Sequence, residues 1–306
     1  MDWDKRSIEL EQKLFKNTQK YTKKMMEIYA AHAQAIEKDI ALFINKYADD
    51  NGLTFAEASK NLTREEKVEY KQAIERILKK YEEKGSAEFK QNATELKKRK
   101  VKTRLDSIRG QIDARTYLLT EDINNDVKDH LEETYLNAYM GMEDILVEGL
   151  GLAEVLYPKK APEKVTTYPY SGILYTALMW RCTSKLSQSV FETLQRGLVH
   201  QNTATKITRD ITKKLKHKGK YTNYDMERVV RTETGFSREV AVRDVFEQHN
   251  IKKYMIVCSP DERTCKHCRE RDGEEHLESE RIEGETAPPF HPNCRCVTKI
   301  VEESLE

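Results

Sequence analysis

The sequence predicts a mainly α protein: a long helical N-terminal arm and bundle, followed by a small α+β module with a Cys/His cluster between two short strands. Three observations predict it. Apolar residues recur at three- and four-residue steps through the first half, the spacing that lines one face of an α-helix. After residue 253 short apolar runs replace that period, as buried strands do. Four of the six cysteines fall from Cys265 to Cys296, between and at the edge of those runs.

The first stripe runs Leu10, Leu14, Tyr21, Met25, Ile28, Ile36, Ile40, Phe43 and Tyr47, with no proline inside it. A helix of about 45 residues would be roughly 65 Å long. That is more than one compact domain covers, so the stripe is expected to need a partner subunit or to project. Asn51-Gly52 stops it, since both residues tolerate a left-handed backbone. Thr54 with Glu57, and Thr63 with Glu66, fit capping boxes. Val68, Ile74, Ile77, Leu78 and Tyr81 form the next helix, closed by Gly85. A third helix is expected to about Leu119, and a fourth carries Ile123, Val127, Leu131, Tyr135, Ala138, Met142 and Ile145. Gly149, Gly151, Pro158, Pro162 and Pro169 then break the pattern. This reads as a linker, 151–170, between a helical region 1–150 and a module 171–306, with a long loop inside one domain as the alternative. Further helices are expected at Thr183–Val199, at Thr205–Leu215 (ending in the basic run Lys213–Lys220) and at Asn223–His249. Tyr254–Cys258 and Cys296–Val301 read as strands placed to pair.

Lys+Arg number 53 against 52 Asp+Glu, so any basic footprint is local. The N-terminus carries charge where a signal peptide needs an apolar stretch, and no run is apolar enough to span a membrane. The expectation is a soluble protein made in a cytosol, with no membrane partner. Thiols there stay reduced, so clustered cysteines suggest metal before disulfide.

The cluster reads Cys265-x-x-Cys268, then 22 residues, then His291-Pro-Asn-Cys294-Arg-Cys296. Zn²⁺ takes four N/S ligands, and two such pairs supply the corners of a tetrahedron. The first choice is a structural zinc on Cys265, Cys268, His291 and Cys294. Cys296 competes for the fourth place, with His267 and His276 behind it. The loop has few apolar residues, so a metal would supply its cross-link. Inert cysteines, a disulfide-linked loop and a redox pair remain alternatives. Cys182 and Cys258 read as buried small apolar residues. Trp3 and Trp180 stand without a visible site. Arg231 and Glu233 read as ion-pair or capping residues of the last long helix.

Ser259-Pro260-Asp261-Glu262-Arg263-Thr264-Cys265-Lys266-His267-Cys268, then Arg271-Asp272-Gly273, then Pro288-Pro289-Phe290-His291-Pro292-Asn293-Cys294-Arg295-Cys296, resembles the C-terminal signature of the Mu F-like phage head-morphogenesis family. Arg231-Thr232-Glu233-Thr234 resembles that family's Arg-Thr-Glu element. The likeness covers about residues 225–300. It implies a minor capsid protein inside the phage head, made in the host cytoplasm, with the portal and capsid or scaffold proteins as partners. It also implies a role in procapsid assembly and in DNA packaging or ejection, and no enzymatic activity.

Two basic clusters could meet packaged DNA without sequence preference: Lys97, Lys98, Arg99 and Lys100, and Lys213, Lys214, Lys216 and Lys218. Both also read as solvated helix faces. A zinc-bearing nuclease or a non-specific DNA-binding protein are the alternatives to a head protein. For a nuclease, His276 is the one nominee, and Glu274, Glu275, Glu278 and Glu280 beside it would repel a polyanion.

Overall fold

Each long apolar stripe of the sequence becomes a helix in the computed structural model, which describes residues 3–50, 52–151, 161–259 and 261–301; the side chains of 3, 4, 161, 218 and 220–223 are outside the description. Trp3 and Lys218 therefore carry no side-chain account, nor do Pro158 and its neighbours. In chain order the helices are α1 (Trp3–Tyr47), α2 (Phe55–Ala58), α3 (Arg64–Leu78), α4 (Ala87–Lys98), α5 (Arg104–Leu150), α6 (Ala161–Thr167), α7 (Tyr175–Val199) and α8 (Ala204–Gln248). Strand β1 (Lys253–Val257), helix α9 (Lys266–Glu270), β2 (Glu275–Leu277) and β3 (Val297–Ile300) follow.

The capping signals mark helix starts. The Thr63 hydroxyl accepts from Glu66 N at 3.2 Å while the Glu66 carboxylate accepts from Thr63 N at 2.9 Å, a complete capping box. Thr54 accepts from Glu57 N at 3.1 Å. Gly52 takes φ +95° after α1 ends.

Two breaks differ from the sequence reading. The break expected near Leu119 lies at 99–103, and α5 runs through Leu119–Ile123 unbroken. A second box sets that start: Thr103 N donates to the Asp106 carboxylate at 2.9 Å and Asp106 N to the Thr103 hydroxyl at 3.1 Å. Thr120, which resembles a cap in sequence, returns its hydroxyl proton to Thr116 O at 2.9 Å within the helix. The helices expected at 205–215 and 223–249 are one, α8. Gly219 sits inside it for space: a Cβ there would lie 2.7 Å from the Tyr29 ring.

The chain forms two compact units, neither continuous in sequence: Met1–Lys23, Asp126–Leu178 and Met226–Glu306 make one, and Lys24–Asn125 with Met179–Asp225 the other. Helices α1, α5, α7 and α8 each give one part to either unit. The interval 151–170 reads as a linker by composition, yet its described part holds α6, and both units draw on residues from either side of it.

The stripe on α1 is covered within the chain. In the second unit Met25, Ile36, Ile40 and Ile44 are buried, Arg115 donates to Asp39 at 2.7 Å, and His32 meets Asp122 at 2.8 Å. In the same unit Ile74, Leu78, Phe89, Leu96, Leu118 and Trp180 share one apolar cluster. In the first unit Leu14 is buried and Tyr21 stacks on His130 with centroids 4.2 Å apart.

The sheet belongs to the first unit. Its order is β2-β1-β3, antiparallel throughout, with Tyr254 opposite Ile300 and Val257 opposite Val297. The two expected strands pair as the sequence indicates. β2 was not expected, because Glu275-His276-Leu277 carries little apolar signal.

Candidate metal centre

Beyond β1 the chain turns at Asp261–Thr264, where Thr264 N donates to Asp261 O at 3.1 Å, and enters α9. Cys265 is the N-cap of that short helix, and its sulfur accepts from Cys268 N at 3.4 Å. This brings the two thiols of the Cys-x-x-Cys pair onto one side. His291 and Cys294 come from the turn before β3, where Cys294 N donates to His291 O at 3.0 Å and Asn293 takes φ +63°. Asparagine tolerates that left-handed backbone better than most residues.

The His291 Nε2 lies 3.0 Å from Cys268 Sγ and 3.3 Å from Cys265 Sγ, and Cys268 Sγ lies 3.8 Å from Cys294 Sγ. Zinc–sulfur bonds of about 2.3 Å at the tetrahedral angle set neighbouring sulfurs about 3.8 Å apart. The other ring nitrogen of His291, Nδ1, faces Pro292 O at 2.9 Å. Donation there leaves Nε2 with its lone pair toward the sulfurs, the arrangement that orients a metal-ligating imidazole. Cys268 and Cys294 are buried, Cys265 is exposed and His291 is half-buried. Two sets of atoms lie close enough to hold an ion: Cys265, Cys268 and His291, and Cys268, Cys294 and Cys296, so Cys294 shares a set with Cys296 and Cys268 links the two. His267 and His276 are in neither. His267 packs edge-on against Phe290, and His276 lies against Tyr254 and Glu274.

The thiols differ in how readily they ionise. The hydrogen bond from Cys268 N lowers the Cys265 pKa, assisted by His291. Burial pushes Cys268 up to about 12, and the neighbouring Cys294 adds to it. A hydrogen bond from Cys296 brings Cys294 down to about 5. Burial alone would lower the His291 pKa; the Pro292 carbonyl and the negative charge of Cys294 and Cys265 outweigh it and raise it. A thiolate-rich centre of this kind attracts a soft divalent cation.

The rest of the signature builds the frame. The Arg295 guanidinium, between two cysteines, donates to Asp261 at 2.6 Å and so joins the two halves of the motif. That partner holds the Asp261 carboxyl far below the usual range. Asp272 accepts from Cys258 N at 2.7 Å, Gly273 turns at φ +83°, and Arg271 lies 4.3 Å over the Phe290 ring. From α8, the Thr232 hydroxyl accepts from Asn293 N at 3.3 Å, so the Arg-Thr-Glu element supports the His-Pro-Asn-Cys turn. Glu233 is buried and accepts from Ser171 at 2.8 Å, and Arg231 pairs with Glu227 instead of with Glu233.

Sequence reasoning missed a buried charge network in the same unit. Arg238 of α8 pairs with Glu11 of α1 and with Glu239, and donates to Cys296 O at 2.6 Å. Glu239 also accepts from Arg281 at 3.3 Å and from Thr298 at 2.8 Å, and Arg281 pairs with Glu278 at 2.8 Å. No spacing rule joins residue 11 to residue 238. The available signal was an unusual density of Arg and Glu on a helix whose neighbours are apolar.

Residues 185–299 match the family described as Phage Mu protein F like protein. Over this region the chain is similar to that family. No curated protein and no solved structure is detectably similar to the chain. The Mu F-like region takes in most of α7, all of α8 and the sheet with its cysteine cluster; residues 1–184 lie outside it. That likeness supports a structural role in phage head morphogenesis, in a virion and among other head components. No helix among the described residues is long and apolar enough to cross a membrane.

The basic clusters lie in the other unit. Lys97 pairs with Glu82 at 2.9 Å and Arg99 with Asp113 at 2.6 Å, while Lys98 and Lys100 are exposed. Lys213 and Lys216 are exposed and Lys214 is half-buried. Lys213 and Lys214 line an open groove of about 410 Å³ with Arg196, His200 and His217. Trp180 and Cys258 are buried, whereas Cys182 is only half-buried.

Proposed function

We propose that the protein is a minor head protein that sits at the portal and acts in procapsid assembly and in the packaging or ejection of DNA. Its C-terminal module is held by a structural zinc ion on Cys265, Cys268, His291 and Cys294. The observation that carries this reading is the Mu F-like region, whose most distinctive residues converge on a centre with zinc-like sulfur spacing and an oriented imidazole. When bound, the ion would cross-link a segment too poor in apolar residues to hold itself. Purified protein should contain about one zinc per chain, as a single four-ligand site requires. It should co-sediment with portal or procapsids and leave plasmid intact with added divalent metal. Nicking that depends on the protein would support the nuclease alternative instead.

The basic groove beside α7 and α8 favours a second property, weak binding of packaged DNA. Such contacts release counterions, so engaging about five phosphates should give a slope of roughly −5 in log K against log salt. Replacing Lys213, Lys214, Lys216 and Lys218 by Gln should flatten it, and replacing Lys97, Lys98, Arg99 and Lys100 should have less effect, since two of those four are already paired within the chain. A salt titration on two unrelated duplexes reads both, and unequal affinities for the two duplexes would exclude the non-specific reading.

A further inference from the structure

Cys258 and Cys296 stand apart from the four metal ligands. Val257 is opposite Val297 in the β1–β3 ladder, so one step further Cys258 faces Cys296. Ile256 turns its backbone groups toward the β2 side, with Ile256 N donating to Glu274 O and Gly273 N to Ile256 O, both at 2.9 Å. Cys258 N points the same way, to Asp272. Toward β3, residues 256 and 258 therefore occupy non-hydrogen-bonded positions, where facing Cα atoms are about 4.5 Å apart. That separation falls within the range a disulfide bridges, about 4.4–6.8 Å.

The sulfurs themselves are 2.6 Å apart. Two ligands of one zinc ion would be about 3.8 Å apart, so this pair is too close to share an ion. Cys258 also donates its thiol proton to Cys268 O at 3.1 Å, which a metal-bound thiolate cannot do. Although Cys296 reaches the second ligand set, its nearest sulfur is that of Cys258. A route in exists as well: Cys258 lines an open cavity of about 530 Å³ together with Ser259, Thr264, Arg269 and Asp272.

We infer that Cys258 and Cys296 form a cross-strand thiol pair that closes to a disulfide when it meets a small-molecule disulfide, while Cys265, Cys268, His291 and Cys294 keep their ion. The inference about the ion rests on the zinc reading; the thiol pair stands without it. The Cys258 thiolate attacks one sulfur of the small disulfide and expels one thiolate. The Cys296 thiolate then attacks the Cys258 sulfur of the mixed disulfide and expels the second. The two cysteine protons pass to the two departing thiolates. The pair is oxidised by two electrons and the small disulfide is reduced to two thiols. A head protein is made in a reducing cytosol and leaves in a particle released to an oxidising medium, so the thiol form belongs to assembly and the bridged form to the free virion.

The test is to treat the full-length, zinc-loaded protein with oxidised glutathione, block remaining thiols, and map peptides alongside zinc content. The expected result is loss of two hydrogens in the intact mass, one linkage joining Cys258 to Cys296, and unchanged zinc. Cys258→Ser and Cys296→Ser should each abolish the linkage and keep the zinc of the untreated protein. Linkages through Cys265, Cys268 or Cys294 with zinc release, or no linkage after extended treatment, would overturn the inference. So would zinc loss in Cys296→Ser with the fold retained, because Cys296 would then be a ligand. If the linkage forms in protein that never bound zinc, the thiol pair holds and the zinc reading fails.

Discussion

Helices α3 and α4 and the segment 258–301 are held by different forces. In the first, Ile74, Leu78, Phe89 and Leu96 bury apolar surface in a shared cluster, and Thr63 and Ser86 cap the helix starts. In the second, four cysteines are among the buried side chains, and the contacts are an Arg295–Asp261 pair, an Arg281–Glu239–Thr298 network and a convergence of sulfur on an imidazole. Burial of apolar area is non-directional and tolerates small shifts. Ligand geometry and buried charge depend on direction and fail as units. The first region is therefore expected to lose stability by increments, and the second to keep or lose its fold as a whole.

Metal removal should break that comparison most widely. Structural zinc contributes roughly 10 kcal/mol or more to modules of this type. Chelation is expected to strip hydrogen-exchange protection from 258–301 and leave α3 and α4 protected. Protection that survives in both regions would mean the charge network alone holds the C-terminal segment. Phe89→Ala should act on the other side of the comparison, costing about 3–5 kcal/mol as large core truncations do. That loss should be the same with and without chelator in a urea titration.

Glu233 offers a smaller effect with a pH signature. Burial raises its pKa from 4.5 to about 7, and the Ser171 hydroxyl only partly opposes this. The folded state then holds a proton that the unfolded state has released, so stability falls as pH rises from about 4.5 to about 7. The full difference is about 3 kcal/mol at 1.4 kcal/mol per pKa unit. Burial shifts Glu278 to about 7 as well and raises Glu11, so Glu233→Gln should remove part of the slope. Melting temperatures across pH 5 to 8 read it, and an unchanged slope would assign the whole dependence elsewhere. Thr63→Ala should cost least, about 1 kcal/mol for a lost N-cap. Its effect on melting should be independent of both pH and zinc.

Much of this was legible in the sequence. Period-3.6 stripes gave α1, α3 and the helical core of α5, and the Thr63-x-x-Glu66 box gave a start to the residue. The Cys-x-x-Cys and His-x-x-Cys spacings brought forward Cys265, Cys268 and His291, which share one set of nearby ligand atoms, and Cys294, which shares another with Cys268 and Cys296. Where the reading went astray, local signals had two meanings. The break expected near Leu119 is absent, since Thr120 bonds back to Thr116 within one continuous helix. The run at 213–220 with Gly219 resembles a helix end, whereas the glycine answers to Tyr29, far away in sequence. β2 was invisible because an edge strand of Glu, His and Leu is specified by its partner β1 more than by its own pattern. The Glu11–Arg238–Glu239 network was out of reach for the same reason: a charge on a helix reads as solvated until the elements around it are known.

Three helical glycines carry a consequence for how this sequence can drift. At Gly197 a Cβ would fall 2.7 Å from Ile207 Cγ1, and at Gly219 equally close to the Tyr29 ring, both of them buried partners with little room to yield. At Gly235 the nearest atom is 3.6 Å away, ordinary van der Waals contact. Alanine is the better helix former by about 1 kcal/mol, so a stabilising programme that replaces helical glycines indiscriminately would gain at one of these sites and lose at two. Descendants of this chain should show the same asymmetry: position 235 free to acquire a methyl group, positions 197 and 219 closed to it until Ile207 or Tyr29 has first become smaller.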